Sequence, residues 1–352
     1  MKNIFITTYH TWKSYGAVLQ AVALNNFLRK YGYNAQTIDY QVKINSKSKF
    51  NLRRKLQKMV MFYQDAIKKR KTNDFIKENL VKTREMSEYS ELCGLNAPNS
   101  YFVAGSDQIW HPERCFDFFF LRFVEKEKRI SYAASMGSLK IPDENRERFK
   151  EYINGFTYIS VREKSMLPVL GELTDKQCRI HIDPTLLMDR EYWESRERQY
   201  KVKKPYILLY SLYWDERYNV FLKELHRKTG YEIISLSPSR RIFCTKRVLN
   251  ADPGQFLYLI HHAESVITSS FHGTIFSLLY RKSLRVIVNP NAPARIMDLL
   301  SKFGFEKVVA ELGCNDVVMP DYSEFEAKLD IERERSRQYF FEVLGESNDK
   351  NR

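Results

Sequence analysis

Apolar residues fall along the chain in two rhythms, short continuous runs and helical spacings, and the way they alternate sets the expected fold class. The run at 4–8 reads as a strand and His10-Thr11-Trp12-Lys13-Ser14-Tyr15-Gly16 as a polar loop. Ala17, Leu19, Ala21, Ala23, Leu24, Phe27 and Leu28 have helical spacing, and Tyr31-Gly32-Tyr33 stops that helix before a strand at 35–40. That is a βαβ opening. Leu52, Leu56, Met59, Val60, Tyr63 and Ile67 then keep helical spacing and predict an amphipathic helix. Strands are expected at 101–104, 129–134, 158–161 and 179–184.

A charged stretch at 190–204 precedes a second series. It contains a strand at 206–210, a helix at 220–229, a strand at 232–236 and a helix at 254–262. A strand at 265–268, a loop at 269–273, a helix reaching Tyr280, a strand at 285–288 and a charged closing helix at 322–344 complete it. The expectation is an α/β protein with two parallel-sheet domains and a cleft between them. The N-terminal domain spans 1–198 with a basic helical insert at 43–93, the C-terminal domain 203–320, and the closing helix and tail 321–352. Open parallel sheets bind ligands beyond the carboxyl ends of their strands, so function is sought in the loops that follow them.

Charge changes this picture in one place. The 57 Lys and Arg outnumber the 43 Asp and Glu for a formal net charge of +14, and positions 43 to 85 hold fourteen basic residues against four acidic ones. Nucleic acid, an anionic membrane surface and a solvated helix face all answer to such a block. No nucleic-acid module accompanies it, and the apolar stripe within it points to packing or to a membrane surface. No run approaches the ~20 apolar residues of a membrane span, and the first residues lack a signal sequence, so a cytoplasmic location is expected. Five scattered cysteines without a Cys-x-x-Cys pair exclude a disulfide framework and a structural zinc site. Walker-type, Gly-x-Gly-x-x-Gly, Gly-x-Ser-x-Gly and Asp-x-Asp patterns are absent.

The strongest chemical signal is Val266-Ile267-Thr268-Ser269-Ser270-Phe271-His272-Gly273-Thr274. A buried-type strand ends in hydroxyl residues and a helix opens at His-Gly-Thr, a place where unpaired N–H groups attract anions. His272 is suited to neutralising a phosphate or moving a proton. The competing reading makes Ser270 a helix cap and His272 a partner of a local carbonyl. Arg295 before a helix and Arg162 after a strand can clamp a carboxylate or phosphate; the competing reading makes Arg295 a surface residue and gives Arg162 a salt bridge with Glu163 or a place on a Lys-rich surface. Asp107 and Gln108, after the 101–104 strand, suit sugar hydroxyls, with Asp107 a candidate base and Trp110 either a stacking platform or core. Tyr15-Gly16-Ala17 is a second, weaker anion cradle.

Taken in order, these segments resemble the polysaccharide pyruvyl transferase family. The resemblance rests on Tyr15-Gly16-Ala17-Val18-Leu19-Gln20-Ala21, Gly105-Ser106-Asp107-Gln108-Ile109-Trp110, Ile130-Ser131-Tyr132-Ala133-Ala134-Ser135, Ser160-Val161-Arg162-Glu163-Lys164 and Asp183-Pro184-Thr185-Leu186-Leu187. The segment 267–274 and Arg295-Ile296-Met297-Asp298-Leu299-Leu300 continue it. The resemblance implies a GT-B-like pair of Rossmann-like domains and transfer of pyruvate from phosphoenolpyruvate to two hydroxyls of one sugar, giving a ketal and phosphate. The sugar would belong to a surface polysaccharide or its lipid-linked precursor. By position, Arg162, His272 and Arg295 match the family's basic residues around the donor. The catalytic candidates are therefore His272 as acid, Asp107 as base and Arg162. The substrate-binding candidates are Arg295, Ser270, Gly273, Thr274, Gln108, Tyr15, Gly16 and Ser135. Phosphoenolpyruvate is the donor substrate, and no metal or other cofactor is expected. Residues 43–85 would meet an anionic membrane at the inner face. The rival from the same fold is a nucleotide-sugar glycosyltransferase. His111, where relatives carry Asn, and Arg281-Lys282 depart from the family pattern.

Overall fold

The computed structural model describes residues 2–345 except Trp12, 41–54, Lys204, Trp214, Asp215, Arg217, Asn291 and 311–316, with backbone alone at 55–62. In the first half β1 (Asn3–Thr7), α1 (Tyr15–Lys30), β2 (Asn34–Tyr40), α2 (Lys55–Asn79), β3 (Lys82–Met86), β4 (Ser100–Ala104) and β5 (Arg129–Ser131) build a parallel sheet ordered β3-β2-β1-β4-β5. After α3 (Asp143–Asn154) the strands β6 (Ile159–Val161) and β7 (Cys178–Ile180) pair in parallel, with α4 (Leu167–Gly171) between them. Isolated bridges from Ile130 to Tyr158 and from Ala134 to Val161 join this pair to the edge of β5.

After α5 (Arg190–Glu194) the second half repeats the plan. β8 (Tyr206–Tyr210), α6 (Tyr218–Thr229), β9 (Glu232–Ser235), β10 (Lys246–Arg247), α7 (Pro253–His261), β11 (Ser265–Thr268), α8 (Phe271–Leu279) and β12 (Ser283–Val286) form a parallel sheet ordered β10-β9-β8-β11-β12. The central strands are apolar in their middles, and β8 along its whole length, because both faces of a parallel sheet are covered; all five residues of β8 are buried. The helices α9 (Ala294–Phe303) and α10 (Phe325–Val343) follow. No helix among the described residues is long and apolar enough to cross a membrane.

Among the contacts between described residues that unite the halves are the following. Tyr15 at the start of α1 stacks on Phe256 of α7, with ring centroids 4.6 Å apart. α2 lies along this seam: Lys68 sits 4.1 Å over the Tyr15 ring, and Arg198 ties Glu78 to Asp252 at 2.6 and 3.2 Å. α10 begins in the second half, where Phe325 meets Phe303, and ends on the first. There Phe340 stacks on Tyr132, the Tyr339 hydroxyl donates to the Ser131 carbonyl at 2.8 Å, and Arg179 pairs with Glu342.

The insert departs from expectation. The spacing predicts a helix over 52–67, but α2 runs on to Asn79 and buries Phe75 and Ile76, while Tyr63 is exposed. Leu52 lies outside the described residues, as do the side chains of Leu56, Met59 and Val60. β3, which reads as polar sequence, is an edge strand whose pattern is set by solvent rather than core.

Asp39 at the end of β2 receives Lys82 at 2.5 Å and faces His10 at 3.3 Å, pinning the loop after β1. The His10 hydrogen bond, against burial and with help from Lys82, lowers its carboxyl to about 2. A folded value below the ordinary 3.8 gives stability that is present above about pH 4 and lost as pH falls toward 2. Asp39→Asn is expected to flatten the acid limb of stability in that window, read as urea midpoints from pH 5 to 2.

Candidate active site

Both sheets place their chemistry where strand order reverses, between β1 and β4 in the first and between β8 and β11 in the second. The carboxyl ends of those four strands line one cleft of about 350 Å³, within the range of small-molecule sites. Tyr9 and Thr11 come from the loop after β1, Asp107 and Gln108 from that after β4. Tyr210, Leu212 and Tyr213 come from the end of β8, and Ser269 and Ser270 from the loop after β11. Ser269 organises this wall: its hydroxyl accepts from the Leu212 and Tyr213 N–H groups at 2.8 and 2.9 Å.

Helix starts give the cleft its sign. α1 presents Ser14, Gly16 and Ala17, α8 presents Phe271 and His272, and α9 presents Arg295. Each contributes the positive end of its dipole. Ser270 caps α8 by accepting the Gly273 N–H at 3.3 Å, and the Thr274 N–H and hydroxyl both donate to the Ser270 carbonyl at 2.9 and 3.0 Å. Gly273 and Thr274, expected to hold an anion, are thus committed to the helix start and do not line the cleft. The open donors there are the N–H groups of Phe271 and His272, which meet no acceptor among the described residues. Gly273 serves packing, since a Cβ would lie 2.4 Å from Thr268 Oγ1 and 3.2 Å from Tyr210.

Beneath the cleft lies a buried ionic cluster. Asp183 Oδ2 accepts from Arg162 Nη1 at 2.7 Å and Ser106 Oγ at 3.1 Å, and faces His272 Nε2 at 3.4 Å. Oδ1 accepts from the Thr185 N–H and hydroxyl at 3.0 and 2.7 Å. Burial opposes ionisation of Asp183, but His272, Arg162 and Thr185 together hold its carboxyl well below the usual range. Arg162 is equally buried, packs 4.1 Å over the Phe271 ring and pairs with Glu163 at 2.8 Å; against the cost of burial, Glu163, Asp183 and Asp107 keep it charged. Arg162 does not line the main cleft. It borders an adjoining cavity of about 20 Å³, shared with Glu163, Asp183 and Arg295 and roomy enough for one water.

Arg295 reaches the cleft itself. Its Nη1 and Nη2 donate to the Gln108 amide oxygen at 2.8 and 3.0 Å in the amide orientation the guanidinium dictates. Burial and the neighbouring Arg162 lower its proton affinity, and among the described residues no carboxylate lies within ion-pair distance. Arg114, exposed on the rim, adds a second guanidinium that forms no ion pair among the described residues. Asp107 faces the cleft from a left-handed backbone, φ +71°, and its Oδ1 accepts the Gln108 N–H at 2.9 Å. Such a conformation is costly for a non-glycine residue and is found where surrounding structure imposes it.

His272, Asp107, Gln108, Arg295, Ser270 and Gly16 thus converge on one cleft. Ser135 does not: its side chain is fully buried and its carbonyl accepts the Trp110 N–H at 3.1 Å. Tyr15 belongs to the seam between the halves. Trp110 is core, stacked on Phe120 at 5.7 Å. Arg114, Tyr9, Tyr210 and Tyr213 join the site without any motif to announce them. The spacing of the other histidines predicts no metal site. In space, Glu197, His261 and His262 each bring a ligand atom within 4.8 Å of the others. None of the three lines the cleft, and Glu197 bonds His261 Nδ1 at 2.7 Å while Arg190 meets His261 Nε2 at 3.2 Å.

A family model described as polysaccharide pyruvyl transferase matches residues 15–291. No curated protein matches the chain. Among solved structures, UDP-GlcNAc 2-epimerase from Neisseria meningitidis bound to UDP-GlcNAc aligns over 98% of this chain and 99% of its own, at 8% identity and a TM-score of 0.52. The UDP-GlcNAc 2-epimerase of Methanocaldococcus jannaschii aligns over 94% and 91%, at 11% identity and 0.49. At these identities the likeness concerns the fold alone: two Rossmann-like parallel-sheet units in a GT-B-like arrangement.

Gly16 makes the site's geometry available. A Cβ there would fall 2.0 Å from His272 Nδ1, so the ring occupies the space a side chain would need. Gly16→Ala is expected to destabilise the protein by about 1–3 kcal/mol. His272→Ala should abolish most of that penalty, a coupling measured by the four unfolding curves of a double-mutant cycle.

Proposed function

The chain belongs to the polysaccharide pyruvyl transferase family, and from that premise we propose that it transfers pyruvate from phosphoenolpyruvate to two hydroxyls of one sugar. The observation that supports this most is the convergence of the α1 and α8 helix starts with Arg295, Arg114 and His272 on one cleft. Phosphoenolpyruvate carries a phosphate and a carboxylate, and both need preorganised donors. The Phe271 and His272 N–H groups suit the phosphate, and the Arg295 guanidinium suits the carboxylate in a bidentate pair.

In this reading His272 gives a proton to the methylene carbon of the donor, which becomes a methyl group, and C2 takes on cationic character. A sugar hydroxyl attacks C2 and yields its proton to Asp107 across the cleft. The C2–O bond to phosphate breaks, phosphate leaves with the bonding pair and takes up a proton, and a second hydroxyl adds to C2 as it loses its own. The products are a ketal and inorganic phosphate, with no change in oxidation state. Tyr9, Tyr210 and Tyr213 offer ring faces and hydroxyls to a sugar.

The acceptor we favour is a surface polysaccharide unit on a lipid-linked precursor, reached from the cytoplasmic side of the membrane. The basic block at 43–85, with Lys69 and Arg70 exposed on α2, suits an anionic lipid surface. The intact protein should float with anionic vesicles, and Arg53, Arg54, Lys55 and Lys58 replaced by Gln should abolish this; an intact protein that stays in solution returns the block to a solvated surface.

Phosphoenolpyruvate should raise the thermal midpoint, and mass spectrometry of acceptors incubated with it should show one added pyruvate ketal. His272→Ala should remove most acceptor-dependent phosphate release, while Arg295→Gln should raise KM for phosphoenolpyruvate about 10- to 100-fold. Protection by uridine or guanosine nucleotides in place of phosphoenolpyruvate would overturn the assignment in favour of a glycosyltransferase.

A further inference from the structure

We propose that Asp183 is a positioning residue that holds His272 by Nε2 and leaves Nδ1 as the nitrogen that exchanges a proton with the cleft; the catalytic half of this statement rests on the pyruvyl-transfer reading. Asp183 is fully buried, and its orientation is fixed before His272 is considered. Both Thr185 donors engage Oδ1, and Arg162 and Ser106 engage Oδ2, so the carboxylate plane cannot rotate without breaking several bonds. Oδ2 then stands 3.4 Å from His272 Nε2, within ion-pair distance, and that nitrogen is sealed from solvent with no hydrogen bond to any described residue.

The other edge of the ring has a different setting. Nδ1 lies over Gly16, at the start of α1, and both residues line the cleft. A carboxylate beside Nε2 favours a hydrogen on that nitrogen, so the neutral ring is the Nε2–H tautomer and the mobile proton sits on Nδ1.

Two measurements test this. Long-range ¹⁵N–¹H spectra of imidazole-labelled protein should show neutral His272 as the Nε2–H tautomer, a result independent of any activity. The Nδ1–H tautomer in the wild-type protein would overturn the proposal. With phosphoenolpyruvate and a panel of hexosides as substrates, Asp183→Asn should lower kcat on the order of 10²-fold and change KM for phosphoenolpyruvate less than about threefold. In the His272→Ala background the same substitution should cost nothing further. A folded Asp183→Asn variant with near wild-type kcat, or losses that multiply across the two backgrounds, would refute it. Should Asp183→Asn fail to fold, Thr185→Val keeps the charge and removes one orienting bond. It should lower kcat several-fold only where His272 is present; an equal loss in both backgrounds would count against the proposal. A wild-type protein with the Nε2–H tautomer that releases no phosphate from phosphoenolpyruvate would sink the pyruvyl-transfer reading while leaving the tautomer assignment standing.

Discussion

A single buried carboxylate, Asp183, joins the two halves at the point where the chemistry lies. It follows β7 of the first half, bonds Arg162 from the end of β6, and faces His272 from the first turn of α8 in the second half. A charge in that position survives only with partners on every side, because desolvation of an unpaired carboxylate costs several kcal/mol. The cluster therefore demands that the halves meet in one relative placement. Gly16 sets the opposite limit, since the His272 ring fills the space above it. Between a carboxylate that draws the ring in and a backbone that leaves just enough room, the imidazole is fixed from both edges.

The anion-seeking character of the cleft comes largely from backbone. Two sheets with the same strand order reversal turn their carboxyl ends toward each other, and helices that leave those ends start at the cleft. Peptide dipoles and unpaired N–H groups supply a preorganised positive field there. Side chains then refine it. Gln108 occupies Arg295 without neutralising it, so the guanidinium is held in place and retains its charge. Among the described residues, Asp107 adds the one carboxylate of the lining.

Much of this was legible in sequence. Central strands such as β8 are apolar without interruption, and α1, buried at every position from Tyr15 to Asn25, is a long apolar segment between two strands, so the βα order of both halves could be read directly. Edge elements were not: β3 and the two-residue β10 pack little and carry polar sequence. The extent of α2 is hidden because its buried residues, Phe75 and Ile76, lie beyond the apolar stripe at 52–67. In the site, residues that combine strand ends with unusual chemistry, His272, Asp107 and Arg295, could be singled out. Ser135 sits in a matching segment but turns into the core. Arg114 comes from an irregular stretch whose course depends on aromatic packing around Trp110, Phe118 and Phe120, and no local pattern encodes that. The partnership of Asp183 with His272 spans two halves of the chain, and only folding brings it into view.

The path of α10 has a consequence for how the protein is made. Tyr339 bonds the Ser131 carbonyl, a partner 208 positions earlier, and Lys2 bonds the carbonyl of Leu344 near the other end of the chain. A nascent first half leaves the ribosome with the surface around Tyr132 uncovered, and that surface stays open until the entire second half has been synthesised. At ~5–20 residues per second this is an interval of roughly ten to forty seconds. The aromatic patch left bare during that interval is where a chaperone would be needed, and where a truncated chain would begin to aggregate.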